Sequence, residues 1–291
     1  MAVVTLAVVQ HACTWDLEAN LATAERLVRE AAARGAQVVL LPELFATPYF
    51  CLTEEARHYG LARPLDGHPV VTRFAALAAA LGIVLPLSVF ERAGQACFNT
   101  TVVVDADGRV VGRYRKSHVP QFPGYEEKYY FSAGDTGFHA WPTRYAALGV
   151  GVCWDQWFPE AARCLVLRGA EVLLFPTAIG SDPPQPDDDS RESWRLVQRG
   201  HAVANRVPLA AANRVGTERA GDVAVRFYGS SFICDHRGRV LAELGREEEG
   251  VAVAALDLEA ARRDRDDWGF FRDRRPDLYG PLLSLDGGGA G

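Results

Sequence analysis

Leu148-Gly149-Val150-Gly151-Val152-Cys153-Trp154-Asp155-Gln156-Trp157-Phe158-Pro159-Glu160-Ala161-Ala162-Arg163 reads as strand, sharp turn and helix. The small apolar residues ahead of Cys153 carry no charge, as a strand buried on both faces requires. Pro159 suits the first helical position, and Glu160 suits the positively polarised first turn. The helix is predicted to run to Arg168 and to stop at Gly169, a good C-terminal glycine. Cys153 therefore sits where a buried strand ends and a helix is about to begin. A thiol there is held on rigid elements and can be deprotonated with the help of nearby cations and backbone N–H groups. Most cysteines in apolar runs are small core residues. This one stands at the strand's exit rather than its middle, and Trp154, Asp155 and Trp157 crowd the next four positions.

The same alternation of strand and helix extends in both directions. Met1 to Gln10 reads as a first strand, with no basic leader or cleavage site. Asp16 caps a helix whose apolar residues Leu17, Leu21, Ala24, Leu27, Val28 and Ala31 follow the helical period and which ends at Arg34-Gly35. Val38 to Leu41 is a buried strand stopped by Pro42 and followed by Glu43. A helix from Pro69 to Gly82 and a strand from Ile83 to Phe90 come next. Asn99–Val104 and Arg109–Arg115 flank the turn Asp105-Ala106-Asp107-Gly108, so they form a hairpin with Lys116 at its exit. Ser117 to Gly137 is a loop rich in proline and aromatics. Arg34–Pro42 is echoed by Arg168–Pro176, each a helix end, a glycine, a buried strand and a stopping proline. An acidic loop from Thr177 to Asp189 precedes a helix over Arg191–Asn205. Strands are predicted at Leu209–Ala212, Phe227–Cys234, Val240–Leu244 and Val251–Leu256, and a last helix at Leu258–Arg265. No linker divides the chain. The expectation is one α/β domain over residues 1–280, with two mixed sheets covered by helices and a flexible glycine-rich tail over 281–291.

Composition narrows the function. The chain has 291 residues, 48% of them hydrophobic, enough for a large core, and a net charge of −6 that offers no nucleic-acid surface. The uncharged run Phe74–Phe90 is broken by Gly82 and Pro86, so no transmembrane span or membrane partner is expected. The six cysteines form no CxxC pair, which argues for reduced, cytoplasmic thiols and against a disulfide framework or a zinc site.

Three reactive groups each follow an apolar strand: Glu43, Lys116 and Cys153. Sites form beyond the carboxyl ends of strands in sheets of this kind, so three strands can deliver these groups to one pocket. A thiolate, a proton-moving carboxylate and an ammonium that holds an oxyanion support acyl transfer. Singly, Glu43 reads as a helix cap and Lys116 as a solvated lysine. Together they are harder to dismiss.

The motifs around these residues resemble the nitrilase superfamily of carbon–nitrogen hydrolases, most closely its N-carbamoylputrescine amidase branch. The matching stretches are Leu41-Pro42-Glu43-Leu44-Phe45, Tyr49-Phe50, Arg115-Lys116-Ser117-His118-Val119-Pro120 and Pro123-Gly124-Tyr125-Glu126-Glu127-Lys128. Gly134 to Phe138, Cys153 to Arg163, Thr177 to Pro183, Asn213 to Gly216 and Tyr228 to Phe232 match as well, so the resemblance spans Leu6 to Tyr279. It implies a four-layer α-β-β-α sandwich, a homo-oligomer, and neither metal nor organic cofactor. It also implies roles: Cys153 as nucleophile, Glu43 as general base, Lys116 with the Trp154 N–H as oxyanion binder, and Glu127 as a second glutamate that positions the substrate nitrogen and the lysine. One departure is Gln121-Phe122, where the family usually carries a small acidic pair or Asp-Gly at the pocket's entrance.

The branch implies a small cationic carbamoyl substrate, N-carbamoylputrescine, cleaved to putrescine, carbon dioxide and ammonia. The alternative is another carbamoyl or ω-amide substrate, such as β-ureidopropionate or an N-carbamoyl amino acid. A cation needs a carboxylate at the far end of the pocket, and Ser181–Asp189 holds Asp182, Asp187, Asp188 and Asp189 with no basic residue. Asp182 is the candidate partner, and Asp187–Asp189 read as a solvated run. Arg191 and Arg195, at helical spacing, read as surface residues. Tyr49 and Trp154 are the expected walls along a four-carbon chain, and Tyr125 is expected among the substrate-binding residues. His118 reads as a hydrogen-bonded wall residue, since a glutamate already fills the base role. A papain-like hydrolase would need a catalytic histidine, and a silent binding protein would have no use for the intact set.

Overall fold

The computed structural model describes residues 3–185 and 187–288. In chain order its first half contains β1 (Val3–Gln10), α1 (Leu17–Ala33), β2 (Val38–Leu40), α2 (Pro69–Leu81), β3 (Leu85–Ala93), β4 (Ala96–Val104), β5 (Val110–Arg115) and a short α3 (Glu127–Tyr130). The second half contains β6 (Ala140–Pro142), β7 (Ala147–Val150), α4 (Pro159–Leu167), β8 (Val172–Pro176), α5 (Arg191–Asn205), β9 (Leu209–Ala212), β10 (Thr217–Ala220) and β11 (Val223–Arg226). β12 (Phe232–Cys234), β13 (Val240–Glu243), β14 (Gly250–Asp257) and α6 (Leu258–Trp268) complete it.

Two mixed sheets result. One runs β14-β1-β2 and continues through the parallel bridge Val38↔Val84 into β3-β4-β5. The other runs β13-β12-β9-β8-β7-β6, with β7, β8 and β9 parallel. The period-two alternation of each strand sorts its side chains into layers. Leu6, Val8, Val38 and Leu40 meet Leu148, Val150, Val172 and Leu174 between the sheets. On one outer face Ala7, Val9 and Val39 pack on Leu27, Val28, Phe74 and Leu77 of α1 and α2. On the other, Leu173, Phe175 and Leu209 pack on Leu165, Val166 and Trp194 of α4 and α5. The order of layers is α-β-β-α. Local signals work as expected at the helix ends: Asp16 accepts from the Ala19 N–H, and Gly82 closes α2 at φ 66°.

Four details depart from the sequence reading. The stretch expected as one strand over Phe227–Cys234 is extended only at β12, because Gly229 and Ser230 take φ of 52° and 55°, which no strand allows. The hairpin β10–β11 was not anticipated, since Thr217–Arg226 alternates weakly and is polar. The loop Ser117–Gly137 folds one helical turn, α3, which carries Glu127 inward. In the expected tail, Gly280–Leu283 form a 3-10 turn, and residues 289–291 lie outside the described residues.

Candidate active site

Glu43, Lys116 and Cys153 reach one place from three strand ends. Glu43 lies beyond β2, Lys116 directly follows β5, and Cys153 opens a 3-10 turn, Cys153–Trp157, beyond β7. Lys116 Nζ donates to Glu43 Oε1 at 2.9 Å and to Glu127 Oε1 and Oε2 at 2.8 and 2.7 Å. The side chains of Lys116, Glu43 and Glu127 are all fully buried. The Tyr49 hydroxyl donates to Glu127 Oε1 at 2.5 Å, and Asn99 Nδ2 donates to Glu43 Oε1 at 2.6 Å. Glu43 Oε2 is buried and takes no hydrogen bond from the described residues. The Cys153 thiol is buried with Sγ 3.7 Å from the Ala178 carbonyl oxygen.

The backbone at two of these points is strained. Cys153 has φ 44° and Leu44, next to Glu43, has φ 48°. Such conformations cost about 1–3 kcal/mol for a side-chain-bearing residue and persist only where surroundings impose them. At Leu44 the imposition is visible: its N–H donates to Ser88 Oγ at 3.0 Å, and Arg214 Nη2 donates to the carbonyls of Glu43 and Leu44 at 2.8 and 3.2 Å. Arg214 is itself held by Glu218 at 2.7 Å. Gly134 is required for close approach: its N–H donates to the Lys116 carbonyl at 2.8 Å, and a Cβ there would stand 2.0 Å from the Arg115 oxygen.

Charge follows from this burial. Burial pushes the Cys153 thiol well above its ordinary range, Glu43 and Glu127 push the same way, and Lys116 opposes them. Burial alone would discharge Lys116, but Glu127 and Glu43 together hold its ammonium well above the usual range. Burial pushes Glu127 up to about 7, against the pull of Lys116. A buried thiol, an uncommitted carboxylate oxygen and a fixed ammonium form an arrangement able to move one proton and stabilise one developing negative charge.

Cys153 opens onto a cavity of about 330 Å³ lined by Phe122, Tyr125, Trp154, Trp157, Ile179 and Asp182 among others. Tyr125 is fixed in its wall: its hydroxyl accepts from the Gly180 N–H at 3.0 Å and donates to the Ser181 carbonyl at 3.3 Å. Asp182 lines the cavity, and its Oδ1 is buried with no hydrogen-bond partner among the described residues. Trp154 lines the cavity, and its N–H lies in the first turn of the 3-10 helix, where N–H groups lack intrahelical acceptors. Tyr49, expected as a substrate wall, stands one layer back with Glu43, Lys116 and Glu127: none of the four lines this cavity, and the Tyr49 hydroxyl serves Glu127. A larger cavity of about 430 Å³, between Trp15, His58 and Glu218, lies behind Tyr49 and excludes Cys153.

Other residues fall differently from the sequence reading. Asp188, read as part of a solvated run, lines the Cys153 cavity, whereas Asp189 pairs with Arg246 at 2.5 Å. Arg191 and Arg195 are engaged with Glu192 and Glu243 and do not line the cavity. His118 lies with Nδ1 2.7 Å from Asp155 Oδ1 and stacks on Phe158 at 3.7 Å. Phe122, the departure at the entrance, forms a wall 5.5 Å from the Trp154 ring. Sequence reasoning gave no role to Asn99, Arg214 or Asp155. For Asn99 the available signal was one amide at the head of an apolar strand. Among the described residues no group of three or more His, Cys, Asp or Glu is placed to hold a metal ion. No helix among them is long and apolar enough to cross a membrane.

The chain is similar to several known proteins along nearly its whole length. An N-carbamoylputrescine amidase of Solanum lycopersicum is 52% identical over 288 residues, covering 98% of this chain and 96% of the relative. A citrullinase of Francisella tularensis is 48% identical over 283 residues, covering 97% of this chain and 99% of its own. The crystal structure of a carbon–nitrogen hydrolase from Helicobacter pylori superposes with a TM-score of 0.91 at 38% identity, over 97% of this chain and 99% of that one. The carbon–nitrogen hydrolase family model matches residues 5–266, and the chain belongs to that family.

Proposed function

We propose that the protein hydrolyses N-carbamoylputrescine to putrescine, carbon dioxide and ammonia, as a cytoplasmic homo-oligomer with a single catalytic domain over residues 1–280. Cys153 attacks the ureido carbon. Glu43 Oε2, which has no other partner, takes the thiol proton. Lys116 has its three N–H groups committed to Glu43 and Glu127 in the resting site. Protonation of Glu43 weakens its hold on the ammonium, and a freed N–H turns with the Trp154 N–H to the oxyanion. Glu43 then protonates the leaving nitrogen and activates water against the acyl-enzyme. Glu127, braced by Tyr49, keeps Lys116 in place and charged.

The observation that carries the substrate is the lining of the cavity onto which Cys153 opens. Aromatic sides suit an aliphatic chain, and the charged residues along it are Asp182 and Asp188, with no lysine or arginine among the described lining residues. The buried, unpartnered Asp182 Oδ1 is the natural acceptor for a distal ammonium. β-Ureidopropionate would bring only a carboxylate to the same wall, and citrulline a carboxylate beside its α-ammonium. The test is kcat/KM for N-carbamoylputrescine, citrulline, β-ureidopropionate and a neutral carbamoyl-alkylamine, in wild type and Asp182→Asn. A charge-assisted hydrogen bond of ~1.5–3 kcal/mol predicts a loss of roughly ten- to a hundredfold on the cation in the variant, with little change on the neutral analogue. Equal losses on both, or a wild-type preference for a carboxylate substrate, overturn the reading.

A further inference from the structure

The geometry points to Asp155 as a positioning residue that locks the nucleophile to the lysine across the two sheets; the inference rests on the roles proposed for Cys153 and Lys116. Asp155 is fully buried. Its Oδ2 accepts from the Val152 N–H at 2.8 Å and from the Tyr114 hydroxyl at 2.8 Å. Its Oδ1 accepts from the His118 N–H at 3.0 Å and meets His118 Nδ1 at 2.7 Å. All of its acceptor positions are thus used by two segments that are remote in sequence.

Those segments are the ones that carry the chemistry. Tyr114 stands two residues before Lys116 and His118 two residues after it, so the carboxylate grips the lysine's chain on both sides. Val152 immediately precedes Cys153, and the Asp155 N–H returns a bond to the Val152 carbonyl at 3.0 Å. The two bonds close a small ring around Cys153 and hold its φ of 44°. Lys116 leaves β5 in one sheet and Cys153 leaves β7 in the other. Apolar packing between sheets sets their spacing but carries no directional restraint on how one slides over the other. The bonds of Asp155 supply that restraint. Outer-layer partners of this kind decide whether reacting groups meet within the tolerance that catalysis requires.

Asp155→Asn tests this, because an amide accepts only through its one oxygen and so must lose either the Val152 and Tyr114 bonds or the His118 N–H bond. The expected result is a fall in kcat of about a hundredfold, the scale of a misplacement near 1 Å, with KM within about threefold of wild type. Alkylation of Cys153 by iodoacetamide, followed on its peptide by mass spectrometry, needs no substrate and should slow by about tenfold as the thiol moves off its base. If wild type hydrolyses none of the carbamoyl compounds, the proposed function fails and the alkylation rate alone decides the role of Asp155. Should Asp155→Asn not fold, Tyr114→Phe removes one bond and should lower kcat three- to tenfold, on the order of one weakened restraint. A folded variant with kcat and Cys153 alkylation both within threefold of wild type, its change confined to thermal stability, overturns the inference.

Discussion

Arg34–Pro42 and Arg168–Pro176 are two versions of one sequence pattern, yet they put different kinds of atom into the same site. Each ends a helix on a glycine with positive φ, 86° at Gly35 and 103° at Gly169, runs through a buried strand and stops at a proline. Beyond Pro42 stands Glu43, whose side chain meets Lys116. Beyond Pro176 stand Thr177 and Ala178, which offer backbone: the Thr177 carbonyl accepts from the Glu43 N–H at 3.3 Å, and the Ala178 carbonyl lies 3.7 Å from Cys153 Sγ. The pattern decides where a strand ends. The residue after the proline decides whether that end works through a side chain or through the main chain.

The comparison breaks most sharply at Glu43. Glu43→Gln preserves the shape of the first exit and removes the proposed base, so ammonia release at saturating substrate should fall about 10²–10⁴-fold. A kcat within tenfold of wild type would mean that the first exit, like the second, contributes only scaffold. Lys116→Ala should lower kcat by about 10²–10³-fold and, by leaving two buried carboxylates without their cation, destabilise the fold by about 3–5 kcal/mol. Lys116→Arg keeps the charge but places it on a planar fork, and should recover stability more than turnover. Denaturant unfolding and kcat measured on the same samples separate the two effects.

A pH profile sharpens the comparison further. Burial pushes Glu127 up to about 7, so its carboxylate is lost as pH falls through that value. With it goes the anion that keeps Lys116 oriented, so kcat/KM should decline on the acid side of about pH 7, far above the ordinary glutamate value of about 4.3. The limb belongs to the coupled cluster rather than to one residue. An acid limb centred below pH 5 would show that the cluster ionises as it does in water. The smallest effect belongs to the second exit. Thr177 Oγ1 lies 3.0 Å from both Gln156 Oε1 and the Phe175 carbonyl within the core, and its one proton is shared between them. Thr177→Val should cost about 1–3 kcal/mol of stability and leave kcat within about threefold. A hundredfold loss would place a working side chain at both exits.

Much of this site was legible before any coordinates. Glu43, Lys116 and Cys153 each follow a strand whose end is marked by a proline, a hairpin turn or a glycine-rich run, and such marks act within a few residues. The helices Arg191–Asn205 and Pro159–Leu167 were legible for the same reason, since capping and helical periodicity are local. The roles of Tyr49 and Asp188 were not. A buried tyrosine beside an apolar run carries no sign of whether its hydroxyl will meet a substrate or a glutamate 78 positions away, as Tyr49 meets Glu127. Asp188 and Asp189 are neighbours of one type in one acidic run, and only the turn of the loop sends the first to the cavity and the second to Arg246.

The sequence by itself determined the alternation of strands and helices, the faces they bury, and the three ends at which reactive groups emerge, because these depend on steric and hydrophobic preferences of adjacent residues. The tertiary structure alone decided which of those ends meet and what holds them. Arg214 secures the Glu43 carbonyl from 171 positions away, Asn99 holds the Glu43 carboxylate from 56, and Asp155 ties the segments of Cys153 and Lys116 across the sheet interface. Directional bonds between such distant residues exist only once two sheets have packed at one register, and that register is a property of the whole core rather than of any stretch of the chain.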